Sequence, residues 1–144
     1  MTKSAFRAFS LLVLPLAAAA VLIGCNLGGD SNPLVGTWKG TVTSSTWSET
    51  VTYQFKSDMT LAILADWHSV PPGNESTGTG LGSYTVDESA KTVTVNITIV
   101  YTRVAGTSGP SGPIVASATD AYSVSGSTLV ITDPTWGAIT LTKQ

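Results

Sequence analysis

From residue 35 onward, apolar side chains recur at every second position, and Gly, Ser, Asp, Asn and Pro break the alternation at short intervals. A period of two is the mark of a strand with one buried face, and no window carries a helical period. Threonine fills the alternate positions, as where Thr92, Thr94 and Thr98 interleave with Val93, Val95, Ile97 and Ile99. A β-branched polar residue suits the solvent face of a strand. The pattern predicts strands over 35–44, 49–56, 59–67, 81–87, 91–103, 117–125, 128–133 and 136–143.

Three connections share one design, a tyrosine-x-apolar pair, a short polar turn and an aliphatic pair. They are Tyr53-x-Phe55 to Leu61-x-Ile63, Tyr84-x-Val86 to Val93-x-Val95, and Tyr122-x-Val124 to Leu129-x-Ile131. Tight turns make sequence neighbours antiparallel, so the chain meanders. Closing such a meander on its apolar face buries that face and removes the exposed edges. The expected fold is therefore all-β, an eight-stranded antiparallel up-and-down barrel. Segments 68–80 and 104–115, rich in Gly, Pro and Ser, are expected to be long loops at one end.

The first ten residues carry Lys3 and Arg7 and no acid, and lead into the apolar run from Leu11 to Ile23. That run is short for a ~30 Å hydrocarbon core, so it is read as a signal peptide. It ends in Leu22-Ile23-Gly24-Cys25, which resembles the lipobox of bacterial lipoproteins. The resemblance implies cleavage after Gly24 and a diacylglyceryl thioether on Cys25, a membrane tether in the cell envelope. Asn26, where an Asp would signal inner-membrane retention, favours the outer membrane in a host with two. Residues 25–33 then form the lipidated cysteine and a linker of roughly 15 Å reach, and 34–144 the barrel.

At the start of that domain, Pro33-Leu34-Val35-Gly36-Thr37-Trp38-Lys39-Gly40 resembles the Gly-x-Trp opening of the lipocalin and calycin group, in particular small bacterial lipocalin-like lipoproteins. The phrases Tyr53 to Thr60 and Gly82 to Asp87 are similar to the same group. The resemblance implies that Trp38, with Gly36, plugs one barrel end and that a basic residue late in the last strand packs over it. Lys143 shares parity with Ile139 and Leu141 and fits that role.

Charged residues are 11% of the 144, the formal charge is -2 and the sequence pI is about 5.1. No basic surface for nucleic acid exists. The length leaves no room for a second globular domain, and a single cysteine excludes a disulfide scaffold. Neither a Gly-x-Ser-x-Gly elbow nor a free cysteine nucleophile appears, so no enzyme and no cofactor are expected. Asp66-x-His68 is too small a set for a metal site, and His68 reads as a solvent-facing strand end.

Binding is the remaining chemistry. Tyr53, Tyr84, Tyr101 and Tyr122 share the inward parity and either fill the interior or line a cavity for a small apolar or amphipathic ligand. Arg103 and Asp120 also point inward by parity and are expected to face each other at the open end, as a structural ion pair or a grip on a polar ligand group. With Trp47, Trp67 and His68 they would form the rim opposite the plug. The rival expectation is an envelope interaction protein that binds a protein or cell-wall partner through 68–80 and 104–115.

Overall fold

The computed structural model describes residues 32–134 and 137–144. The expectations for the signal peptide and for Cys25 lie outside these residues. Eight strands follow in chain order: β1 Gly36–Thr43, β2 Trp47–Phe55, β3 Thr60–Ser69, β4 Glu75–Asp87, β5 Thr92–Ala105, β6 Gly112–Ser125, β7 Thr128–Asp133 and β8 Gly137–Lys143. Each pairs antiparallel with its sequence neighbours, and β1 meets β8, so the sheet closes as an up-and-down barrel. Every strand and the whole described core lie within residues 32–144.

The turns at one end show why the chain reverses there. The Asp58 carboxylate accepts hydrogen bonds from the Thr60 amide and hydroxyl, and Asp87 caps the amides of Ser89 and Ala90. An aspartate bonding its own turn two residues on is a standard chain-reversal device. These bonds hold both carboxyls below the usual Asp range, the Thr60 and Ser89 hydroxyls acting most strongly.

This end is also the filled one. Leu34, Trp38, Phe55, Tyr84, Leu129 and Leu141 are fully buried there. The Trp38 indole N–H donates to the Leu34 carbonyl at 2.7 Å, and the Lys143 ammonium lies 5.2 Å from the Trp38 ring centre. Gly36, at φ 140°, leaves the room the Lys143 stem occupies, since a Cβ there would sit 2.9 Å from Cε. The closing register is short, pairing Trp38 with Lys143 and Lys39 with Thr142.

Of the two segments expected as long loops, 68–80 is mostly strand and 104–115 is half strand. β3 and β4 reach Ser69 and Glu75, leaving 70–74 as the connection, and β5 and β6 leave only 106–111. The glycines of β4 misled the expectation because glycine in isolation favours turns. Here Gly78, Gly80 and Gly82 all take inward positions, with Thr77, Thr79 and Leu81 outward. A Cβ on Gly78 would lie 2.8 Å from the Tyr101 ring, and one on Gly80 2.9 Å from Ile99. The glycines are the floor on which the β5 side chains rest.

The early part of β6 has a neighbour on one side only. Residues 112–121 pair with β5, whereas β7 pairs only with 121–125. The Tyr122 amide donates toward β5, to Lys91, so by alternation the N–H and C=O groups of Val115, Ser117 and Thr119 face the other way. No described strand covers that edge. Pro113 belongs to the same outward row, where its missing N–H removes no ladder bond.

Candidate functional site

Above the filled end the barrel holds a cavity of about 730 Å³. β5 contributes an aliphatic wall of Val93, Val95, Ile97 and Ile99, and β6 contributes Ile114 and the small Ala116 and Ala118. The volume follows from side-chain size: inward alanines on β6 and glycines on β4 do not reach the axis. Trp47, Tyr53, Trp67 and Tyr101 add aromatic surface. The turn 106–111 leans over this opening, with Gly109 against the Trp67 ring and Pro110 at the cavity edge. Asn74 ties the two neighbouring turns together, its side-chain oxygen accepting from the Thr107 and Ser108 amides at 2.9 Å each.

The polar groups inside are acidic. Glu49 shares inward parity with Val51 and Tyr53, and it accepts a 2.6 Å hydrogen bond from the Tyr101 hydroxyl. Burial first, then this bond to a carboxylate, pushes the Tyr101 hydroxyl far above its usual value. The Tyr53 hydroxyl is pushed up to about 12 by burial and by the charges of Glu49 and Asp120. Tyr53 therefore lies within electrostatic reach of both carboxylates.

Asp120 lines the same cavity, with one carboxylate oxygen buried and without a hydrogen-bond partner among the described residues. Burial, helped by the neighbouring Asp133 charge, raises its carboxyl above the usual range. The β6–β7 register runs from Ser125 opposite Thr128 to Ala121 opposite Thr132, and one step further would set Asp120 opposite Asp133. Like charges directly opposite destabilise a ladder, and here the ladder stops.

Of the candidate binding residues, the structure brings Trp47, Tyr53, Trp67, Tyr101 and Asp120 to the cavity. Tyr84 and Tyr122 are inward but belong to the filled end. The Tyr84 hydroxyl bonds the Lys56 carbonyl and the Asn32 amide, and its ring meets Phe55 edge-on. Tyr122 is buried, its hydroxyl pushed up to about 12 by burial and by Glu88.

Arg103 and Asp120 do not face each other. Asp120 pairs with Val93, ten residues along β5 from Arg103, which at strand rise is about 30 Å. Asp120 points inward as expected, whereas Arg103 does not line the cavity, and the tight 106–111 turn sets a register that separates them. Arg103 is exposed and donates to the Gly109 carbonyl and the Ser111 hydroxyl. His68 faces outward, 3.6 Å from Glu75. The sequence reading passed over Glu49 and Asp133, although the parity that placed Tyr53 and Ile131 inward also applies to them. No family model matches the chain, and no curated protein and no solved structure gives a match.

Proposed function

We propose that this chain is a non-enzymatic binding protein that carries a small apolar or amphipathic molecule inside a lipocalin-like barrel, tethered to a bacterial envelope through lipidated Cys25. The observation that supports the binding role is the cavity of about 730 Å³ above a filled barrel end. It falls in the range of small-molecule sites, and apolar walls with a few convergent polar groups are the usual make-up of such sites. The tether rests on the lipobox resemblance at Leu22 to Cys25. In that reading Asn32, beside Tyr84 at the filled end, leads back to the membrane, and the opening points away from it.

The rival reading, an interaction protein acting through long loops, leans on 68–80 and 104–115, of which only 70–74 and 106–111 lie outside the strands. The cavity is the better-supported site. Native mass spectrometry of the protein purified from its own host tests the proposal, with a co-purifying small molecule as the expected result. An apolar fluorescent probe should bind, and Trp67→Ala should weaken it at least several-fold while Lys39→Ala, on the outer face, leaves it unchanged. Absence of any bound molecule together with no probe binding would overturn the reading.

A further inference from the structure

Building on the reading of the cavity as a ligand site, we propose that its ligand is an organic cation, an amine or quaternary ammonium group on an apolar body. The charged group is seated near Glu49 and Asp120, and the body lies along the aliphatic wall of β5.

The first support is the sign of the charge inside. Glu49 from β2, Asp120 from β6 and Asp133 from β7 line the cavity, and no Lys, Arg or His is among the described residues that do. Arg103 does not line the cavity and donates from Nη2 to the 106–111 turn. A neutral ligand offers the buried Asp120 oxygen at most a hydrogen-bond donor and no counter-charge, and an anion would meet three carboxylates. Only a cation gives these carboxylates a counter-charge, and a buried carboxylate oxygen lacking a partner is the costly arrangement that a ligand relieves.

The rings are the second support. Tyr53 lies within reach of both carboxylates, and Trp47, Trp67 and Tyr101 complete the aromatic part of the lining. Aromatic faces beside carboxylates are the usual recognition of alkylated ammonium groups, which carry too little hydrogen-bonding capacity for a purely polar site. The mostly aliphatic remainder of the wall points to an organic body and not to a bare ion.

Charge over the whole barrel is the third. The opening carries Glu49, Asp66, Glu75 and Asp133 against Arg103 alone, whereas at the filled end Lys39, Lys56, Lys91 and Lys143 are nearly balanced by Asp58, Asp87 and Glu88. The field along the barrel axis therefore draws cations to the opening and repels anions from it.

The test uses segment 26–144, which contains every strand of the closed barrel and its whole described core. Three probes with the same decyl chain, ending in trimethylammonium, hydroxyl or carboxylate, are titrated by calorimetry at low ionic strength and below micelle formation. The expected order is trimethylammonium at least ten-fold tighter than the alcohol, with the carboxylate weakest. Glu49→Gln, which keeps an acceptor for Tyr101, and Asp120→Asn should each reduce the preference for the cation to less than about three-fold without weakening the alcohol. Equal affinity for all three probes, or preference for the carboxylate, overturns the cation assignment and leaves the cavity as a site for neutral apolar ligands. Cation preference that survives in both variants overturns the seating at Glu49 and Asp120. If none of the three binds to protein that unfolds cooperatively, the assignment fails together with the binding role on which it rests.

Discussion

Replacing Trp38 by alanine removes the centre of the filled end, and the structure allows its effect to be estimated. The side chain is fully buried, and truncating a buried aromatic to alanine costs about 3–5 kcal/mol in lost transfer energy and cavity formation. The indole also satisfies the Leu34 carbonyl, and an orphaned buried acceptor adds about 1–3 kcal/mol where water cannot replace the donor. The Lys143 contact contributes about 0.5–1 kcal/mol more. These terms overlap, so a loss of about 4–6 kcal/mol is expected, against the total of about 5–15 kcal/mol typical of a domain. Urea unfolding followed by circular dichroism measures it. With a slope of about 2 kcal/mol per molar, the midpoint should fall by about 2–3 M. Trp38→Phe, which keeps most of the ring volume but not the N–H, should fall by less than half as much. A midpoint for Trp38→Ala within about 0.3 M of wild type would refute the assignment of this tryptophan as the structural plug.

Three further expectations test other parts of the molecule. Cys25→Ser should abolish acylation and move the protein from the membrane fraction to the soluble fraction on cell fractionation; retention of an unacylated variant on the membrane would contradict the tether. Gly82→Ala should lower the thermal midpoint, because its Cβ would strike the Asn96 carbonyl oxygen and crowd the Ile97 Cα at 2.8 Å, backbone that cannot swing aside, and overpacking of this kind costs about 1–3 kcal/mol. Asp120→Asn should raise the urea midpoint of ligand-free protein at pH 7. The folded state raises this carboxyl and so favours its protonated form, which means that its contribution to stability is full below the ordinary Asp value and is lost as pH rises through the raised one. The variant and wild type should therefore converge below about pH 3, and a gap that widens on acidification would refute the assignment.

The architecture was legible because period-two alternation and turn chemistry are local properties. Asp58 and Asp87 mark chain reversals within a few residues, and the parity of Val93, Val95, Ile97 and Ile99 places a whole wall. Register is not local. The pairing of Arg103 with Asp120 failed because it depended on where between 104 and 115 the chain turns, and Gly106, Gly109, Pro110, Gly112 and Pro113 all offer places to do so. The Thr-Gly-Thr-Gly stretch of β4 was misread for a related reason: whether a glycine breaks a strand or makes room for a partner depends on Tyr101 and Ile99, about twenty residues away. The cavity was open to either reading at the level of sequence, since the same inward tyrosines fill one end of the barrel and line the other.

The short seam between β1 and β8 bears on how the barrel forms. Seven of its strand pairings join sequence neighbours, and each can form once a single turn is made. The eighth, at Trp38 and Lys143, closes a loop of about 100 residues, which costs on the order of 4 kcal/mol in chain entropy before any contact is gained. Closure accordingly follows the hairpins in time, and the Trp38 contacts belong to the far side of the folding barrier. Truncating that side chain then accelerates unfolding while leaving refolding almost as fast as before. The lifetime of the closed barrel is thus set at its seam, while its rate of assembly is set by the turns.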